Sequence, residues 1–389
     1  MPSLKPRLAR WLLWCAIAVH VPIVLVAARH APEPGYDFDN FYKIATQPGR
    51  PYVDVPVEFP VGTVQVFRTL GSTFPDRGRF GVSLVIISAV ADVAIVGALY
   101  WGWGIAAAAG YALVVIPLLD LFLLRTDLWS TAIATIAVAA WRRERRVLSA
   151  LAFAAGAAFK LWPLLFLPLL LVPSRGRLRV APLLAAMAGG LVVLGGWLLV
   201  AGTTGLYQVL TFRGARGWEI ESTVGAVWML IDQSTMRIEA GAWRIGSTSG
   251  PISILLFALG GMAALWMIWR GARSGHVGAG WAGGISWLLV LSALLSPQYS
   301  AWLAPASGVA WVEGDRRVAI QTALAVFMTN LVWKSFNPLI HHAMNPLVIL
   351  LARNVLLVVL AIDAAWLVMS APAVSERDEN LVTSNAHGA

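Results

Sequence analysis

The sequence predicts an all-α, polytopic integral membrane protein, and three observations carry that reading. The 389 residues are 58% hydrophobic and only 13% charged, with a mean hydropathy of +0.72; soluble domains carry far more charge. The apolar residues come in blocks such as "WLLWCAIAVHVPIVLVAA" and "PLVILLARNVLLVVLAIDAAWLVM", long enough to be membrane spans. Basic residues form short clusters between the blocks: "KPRLAR", "WRRERR", "SRGRLR", "RGARSGH" and "EGDRR". Cytoplasmic loops facing anionic lipid have this pattern. The net charge of +9 therefore points to a membrane surface and not to nucleic acid.

The elements follow in chain order. Lys5, Arg7 and Arg10 place the start of a first span, 11–28, on the cytoplasmic side. Its basic start is like that of a signal peptide, but the stretch is long and "AARHAPEP" is a poor cleavage site, so it is read as a retained span. The single cysteine, Cys15, lies inside it, which rules out an intramolecular disulfide. A first outer loop covers 30–79. Spans two and three are expected at 80–101 and 103–119, with "GWG" at 102–104 as a turn or close packing. The outer turn "LDLFLLRTD" leads to a fourth span that ends at "WRRERR".

Residues 147–173 are long enough for one span, yet the clusters before and after them both read as cytoplasmic. Pro163 removes a backbone donor and disfavours helix at the residue before it. A broken hairpin over 147–173 with Lys160 at its outer tip keeps both clusters inside. Further spans are expected at 180–201, 251–269, 280–296, 299–312, 318–334 and 346–369, with a long polar outer loop over 202–250. The expectation is one domain over 1–370 with about 11–13 membrane-embedded helices and both termini cytoplasmic. The acidic tail 371–389 is expected to be disordered.

Four carboxylates, Asp37, Asp39, Asp54 and Glu58, follow the first span in "PGYDFDNFYKIATQPGRPYVDVPVEFPVG". Aromatic residues and prolines crowd this segment, which implies a packed loop, and packed carboxylates need partners or a task. The other outer segments offer Arg125, Asp127, Lys160, Arg213, Arg216, Glu219, Glu221, Lys334, His341 and His342. If these converge, carboxylates on one side of a cavity and cations on the other suit acid–base chemistry beside a phosphate. The plainer expectation pairs Arg125 with Asp127 and Arg216 with Glu219. No HExxH, no Cys/His cluster with zinc spacing, no Walker A loop and no Gly-x-Ser-x-Gly elbow occurs. The sequence thus indicates neither a metal nor any other cofactor, and it argues against an ATP-driven pump or a serine hydrolase.

Four stretches together resemble the polyprenyl-phosphate-dependent glycosyltransferases of the GT-C superfamily, most of all the actinobacterial alpha-mannosyltransferases of glycosyltransferase family 87. They are "YDFDNFYKIA" with "GRPYVDVPVEFPVG", "AGAAFKLWPLLFLPLLL", "RGWEIES" and "LLSPQYSAWLAP". Val61 stands where a second proline is usual, and Phe59 replaces an aromatic of the family pattern. The resemblance implies an extracytoplasmic active site, a polyprenyl-phosphate-sugar donor and a glycolipid or polysaccharide acceptor among membrane lipids. It also implies an inverting transfer with an aspartate base. Asp37 with Phe41 fits the family's Asp-x-x-x-aromatic spacing better than Asp39, though either can serve. Lys160 and Arg216 are implied as phosphate ligands, and Glu58, Glu221, Gln298 and Tyr299 as sugar ligands or braces of the loop. A pentosyl transferase using the same donor class, such as an arabinosyltransferase, is the alternative enzyme. A lipid or saccharide transporter and a non-catalytic envelope scaffold are the alternatives from other classes.

Overall fold

A computed structural model describes residues 6–31, 33, 35–173, 179–211, 214–247 and 250–372. The helices are α1 (Pro6–His30), α2 (Tyr36–Thr46), α3 (Val61–Thr73), α4 (Arg77–Trp103), α5 (Ile105–Val115), α6 (Leu119–Leu123), α7 (Asp127–Arg142) and α8 (Arg146–Ala157). They continue with α9 (Val180–Leu210), α10 (Thr223–Ile231), α11 (Gly250–Ser274), α12 (Val277–Val290), α13 (Ser300–Glu313), α14 (Arg316–Lys334), α15 (Phe336–Ile340) and α16 (Met344–Ser370). Among the described residues, six segments are long and apolar enough to cross a membrane: α1, α4, α5 continued through α6, α9, α11 and α16. The chain is an all-α polytopic membrane protein.

Several boundaries differ from the sequence reading. The third span does not stop at 119: a 3-10 turn, Ile116–Leu118, carries α5 into α6. The span expected at 180–201 continues as helix to Leu210, with a kink at Gly202. The packed loop expected over 30–79 holds two helices, α2 and α3, and the start of α4. Gly104, at φ +90°, makes the turn that ends α4, a conformation that glycine adopts without strain. The polar segment 202–250 holds a three-stranded antiparallel sheet that hydropathy does not reveal. It consists of β1 (Trp218–Glu219), β2 (Arg237–Glu239) and β3 (Ala242–Ile245) in the order β1-β3-β2. Trp218 pairs with Ile245, and Ile238 with Trp243. Arg213 and nearly all of the acidic tail lie outside the described residues.

Residues 147–173 form a hairpin. Helix α8 has 12 residues, and a 3-10 helix, Trp162–Leu171, has 10. At about 1.5 and 2.0 Å per residue, each leg reaches only about 18–20 Å, short of the roughly 30 Å hydrocarbon core. The chain comes back on itself: the Leu169 carbonyl accepts from Trp141 Nε1 at 2.7 Å and from Arg146 Nη1 at 3.3 Å. Residue 169 is thus level with the start of α8, and Lys160 lies at the turn.

Length and burial sort the helices into two kinds. The buried ones are short: α7 has 16 residues and α12 and α13 have 14 each, nearly all inside. The longer, lipid-exposed ones have 25 residues in α1 and α11, 31 in α9 and 27 in α16. The two kinds are level at the basic end. Arg143 Nε, at the end of α7, donates to the Trp101 carbonyl of the 27-residue α4. Trp103 Nε1 of α4 donates to Glu313 at the end of α13 at 3.3 Å, and Gly278 N at the start of α12 donates to the same carboxylate at 2.7 Å. Short helices of about 21–24 Å beside long ones of about 37 Å or more leave a sunken floor at the other end. Asp127, Lys160 and Tyr299 stand on that floor, and α2, α3 and the small sheet sit over it.

Candidate functional site

The floor is assembled from helix starts. Asp127 opens α7, and Lys160 follows α8 where Pro163 breaks it. Tyr299 ends the short 3-10 turn Pro297–Tyr299 that leads into α13. Lys160 Nζ meets Asp127 Oδ1 at 2.7 Å, and Trp302 Nε1 donates to the same oxygen at 2.8 Å. The Lys160 ammonium lies 5.2 Å from the Tyr299 ring centre and 5.6 Å from that of Trp302, within cation–π range. Tyr299 stacks on Trp302 at 4.4 Å, and Trp302 on Trp162 at 5.2 Å. These contacts hold Lys160 against a column of rings.

Asp37 comes from above, in the first turn of α2, and pairs with Arg125 at 2.6 Å. Only Thr126 separates Arg125 from Asp127, so the α6–α7 turn couples Asp37 to the Lys160 column. The expected pairing of Arg125 with Asp127 is therefore wrong: the turn points the arginine up and the aspartate down. Asp39 pairs with Arg77 at the start of α4. Two residues along a helix is about 200° of rotation, which aims the two aspartates apart.

The third wall is β1 with the segment before α13. Glu219 N donates to the Ala293 carbonyl at 3.0 Å, and Leu295 N donates to Glu219 Oε2 at 2.7 Å. This joins "RGWEIES" to "LLSPQY". The charges that bear on Glu219 are those of Arg244, Arg353 and Asp37. Tyr299 lies within electrostatic reach of Glu219, Asp127, Arg244 and Asp37. Burial raises the Glu219 carboxyl above its usual range despite Arg244, the Leu295 N–H and Arg353. Glu221 is raised further, by burial first and then by the neighbouring Glu219. Its backbone carbonyl accepts from Arg353 Nη2 at 3.0 Å.

Of the other residues singled out from sequence, Glu58 braces the loop to α2, its Oε1 accepting from Asn40 Nδ2 at 3.0 Å. Gln208 of α9 clips the same loop, accepting from Val57 N and donating to the Tyr52 carbonyl, both at 2.8 Å. Gln298 accepts from Ser296 Oγ at 2.6 Å. Arg216 is exposed at the sheet edge, where its backbone N–H donates to Glu239 at 2.8 Å. The expectation that Arg216 is Glu219's partner gives way to Arg244 and Arg353, which the sheet and α16 bring to that buried carboxylate. Lys334 pairs with Asp120 at 2.7 Å.

Arg244, Arg353 and Trp302 escaped the sequence reading. An arginine within "ILLARNVLLV" was the available signal for Arg353, because an ionisable group inside an apolar span is rarely idle. Arg125 Nε, Glu221 Oε1, Arg353 Nε and Asn354 Oδ1 are buried without a hydrogen-bond partner among the described residues. Native interiors leave few such atoms unless a ligand or water completes them. No family model, curated protein or solved structure matches the chain.

Proposed function

We propose that the protein is a membrane glycosyltransferase that moves a sugar, mannose as the first choice, from a polyprenyl phosphate to a glycolipid or polysaccharide acceptor. The observation that carries this reading is the convergence of Asp37, Arg125, Lys160 and Tyr299 on one sunken floor. In this reading the floor is extracytoplasmic. A lipid-borne phosphate reaches it from the membrane, and a water-borne hydroxyl reaches it from above.

The chemistry assigns a role to each group. Asp37, not Asp39, is the base, because it alone of the two faces the floor. It takes the proton as the acceptor oxygen bonds to the anomeric carbon. The carbon–oxygen bond to the phosphate breaks on the opposite side, and its electron pair leaves with the lipid phosphate. Arg125 and Lys160 offset the charge that develops there, as guanidinium and ammonium groups do for phosphoryl oxygens. Arg125 takes the place that the sequence reading gave to Arg216. Tyr299, at the end of the column of rings, offers a face to the sugar, and the buried Glu221 carboxyl, raised above its ordinary range, is a partner for a sugar hydroxyl. A pentose donor would use the same groups.

The test is transfer by purified protein given polyprenyl-phosphate-mannose and a glycolipid acceptor. Product that depends on Asp37 and is indifferent to Asp39 supports the reading. Full turnover in both Asp37→Asn and Asp39→Asn removes it.

A further inference from the structure

Between α2 and α3 lies an open recess of about 530 Å³, lined chiefly by Thr46, Gln65, Arg68, Thr69 and Ser72. Its floor is the crossing of the two helices. A Cβ at Gly71 would lie 2.7 Å from the Ala45 carbonyl oxygen, so glycine allows the close approach. Arg68 forms a wall held in place by two bonds, Nη1 to the Gln47 carbonyl at 2.8 Å and Nη2 to the Gly49 carbonyl at 3.0 Å. Arg68 Nε is buried without a hydrogen-bond partner among the described residues.

The lining selects a class of ligand. The Gln65 carboxamide both donates and accepts. The Thr46 and Ser72 hydroxyls, which donate to the Tyr42 carbonyl at 2.8 Å and the Thr69 carbonyl at 2.9 Å, face a ligand as acceptors, with the Thr69 hydroxyl beside them. No acidic and no large apolar side chain lines the recess, so it suits neither a cation nor an acyl chain. A single arginine already bonded to two carbonyls is a weak phosphate clamp. A neutral polyhydroxylated chain fits best, and the volume is that of a small-molecule cleft.

We infer that this recess is a subsite for an oligosaccharide acceptor, holding the chain some distance from its reacting end. The inference rests on the transferase reading for what happens at Asp37. The recess lies eight to nine residues along α2 from Asp37, about 12–13 Å. Thr46 lies on the exposed side of α2 with Asp39 and Lys43, about 180° around the helix from Asp37, so the path also crosses the helix and is longer than its axial rise. An oligosaccharide spans that distance and a monosaccharide does not.

The experiment measures binding of mannose and its α-linked tri- and tetrasaccharide to the full-length protein in lipid nanodiscs, then turnover with the same acceptors. Wild-type protein is expected to bind the longer chains more tightly. The double variant Gln65→Leu/Thr69→Val changes two exposed side chains remote from Asp37. It is expected to weaken oligosaccharide binding about tenfold, the size of effect set by two lost hydrogen bonds. Acceptor KM should rise to match, with kcat unchanged and the monosaccharide unaffected. Equal binding of long chains by variant and wild type, or no gain with chain length in wild type, overturns the subsite. Recess-dependent binding with no transfer would leave the subsite standing and overturn the transferase reading alone.

Discussion

Two buried polar groups in this protein look alike in composition and differ in completeness. The first lies within three membrane spans, where His20 of α1, Asp92 of α4 and Tyr111 of α5 meet. Asp92 Oδ2 faces His20 Nδ1 at 2.8 Å, and Tyr111 donates to Asp92 Oδ1 at 2.8 Å. His20 Nε2 faces the Ala112 carbonyl at 2.8 Å. A carbonyl only accepts, so Nε2 carries a proton, and one more is shared between Nδ1 and the carboxylate. Every heteroatom of the three side chains is used. The second group, around Asp37, Arg125, Glu221 and Arg353, leaves buried donors and acceptors unmet. A closed network ties helices together, whereas an open one is built for something that arrives later. An intramembrane carboxylate is a common mark of a transporter, but this one has no polar atom to spare for a passing substrate.

The comparison can be broken at either group. Asp92→Ala should have the largest effect on folding, a loss of about 3 kcal/mol or more from leaving a buried partner unpaired. It would show as a fall in detergent melting temperature, with activity per folded molecule retained. Asp37→Asn should do the reverse, lowering turnover about a hundredfold or more with the melting temperature little changed. Either variant behaving like the other would collapse the distinction.

Glu221→Gln sharpens the contrast through pH. The carboxyl is raised in the folded protein from its ordinary value of 4.5, so the native state holds a proton that the unfolded state releases. Wild-type stability is therefore fully present below about pH 4.5 and declines as pH rises beyond it. The glutamine variant should lose that decline, which melting curves taken across the range will register. The smallest effect belongs to Asp39→Asn. Its half-exposed pair with Arg77 is worth about 0–1 kcal/mol, and turnover should be near normal.

The long spans were legible because hydrocarbon runs declare themselves by length, whereas the spans expected at 280–296, 299–312 and 318–334 are the helices α12, α13 and α14, which are not among the six long apolar segments. The hairpin was legible too, because two basic clusters flank a stretch containing Pro163. The α2 helix was implied only through the resemblance, whose Asp-x-x-x-aromatic element Asp37 and Phe41 match; the residues alone implied a packed loop. Pairings were not legible. Nothing local says that Asp37 meets Arg125 or that Asp127 meets Lys160, because those contacts are decided by how helices of unequal length stack. The small sheet was hidden because "RIEAGAWRI" sits in a segment read only for polarity. His20 and Asp92 were visible as lone polar letters in "AIAVHVPIV" and "SAVADVAIV", yet they were passed over in favour of the loops.

The unequal helix lengths have one more consequence. Lipid touches mainly the long outer helices, so bilayer thickness acts on them, through tilt, and not on the short ones they enclose. The floor travels with its enclosure. The drop from rim to Lys160 is thus a property of the fold, the same depth in a thick membrane as in a thin one.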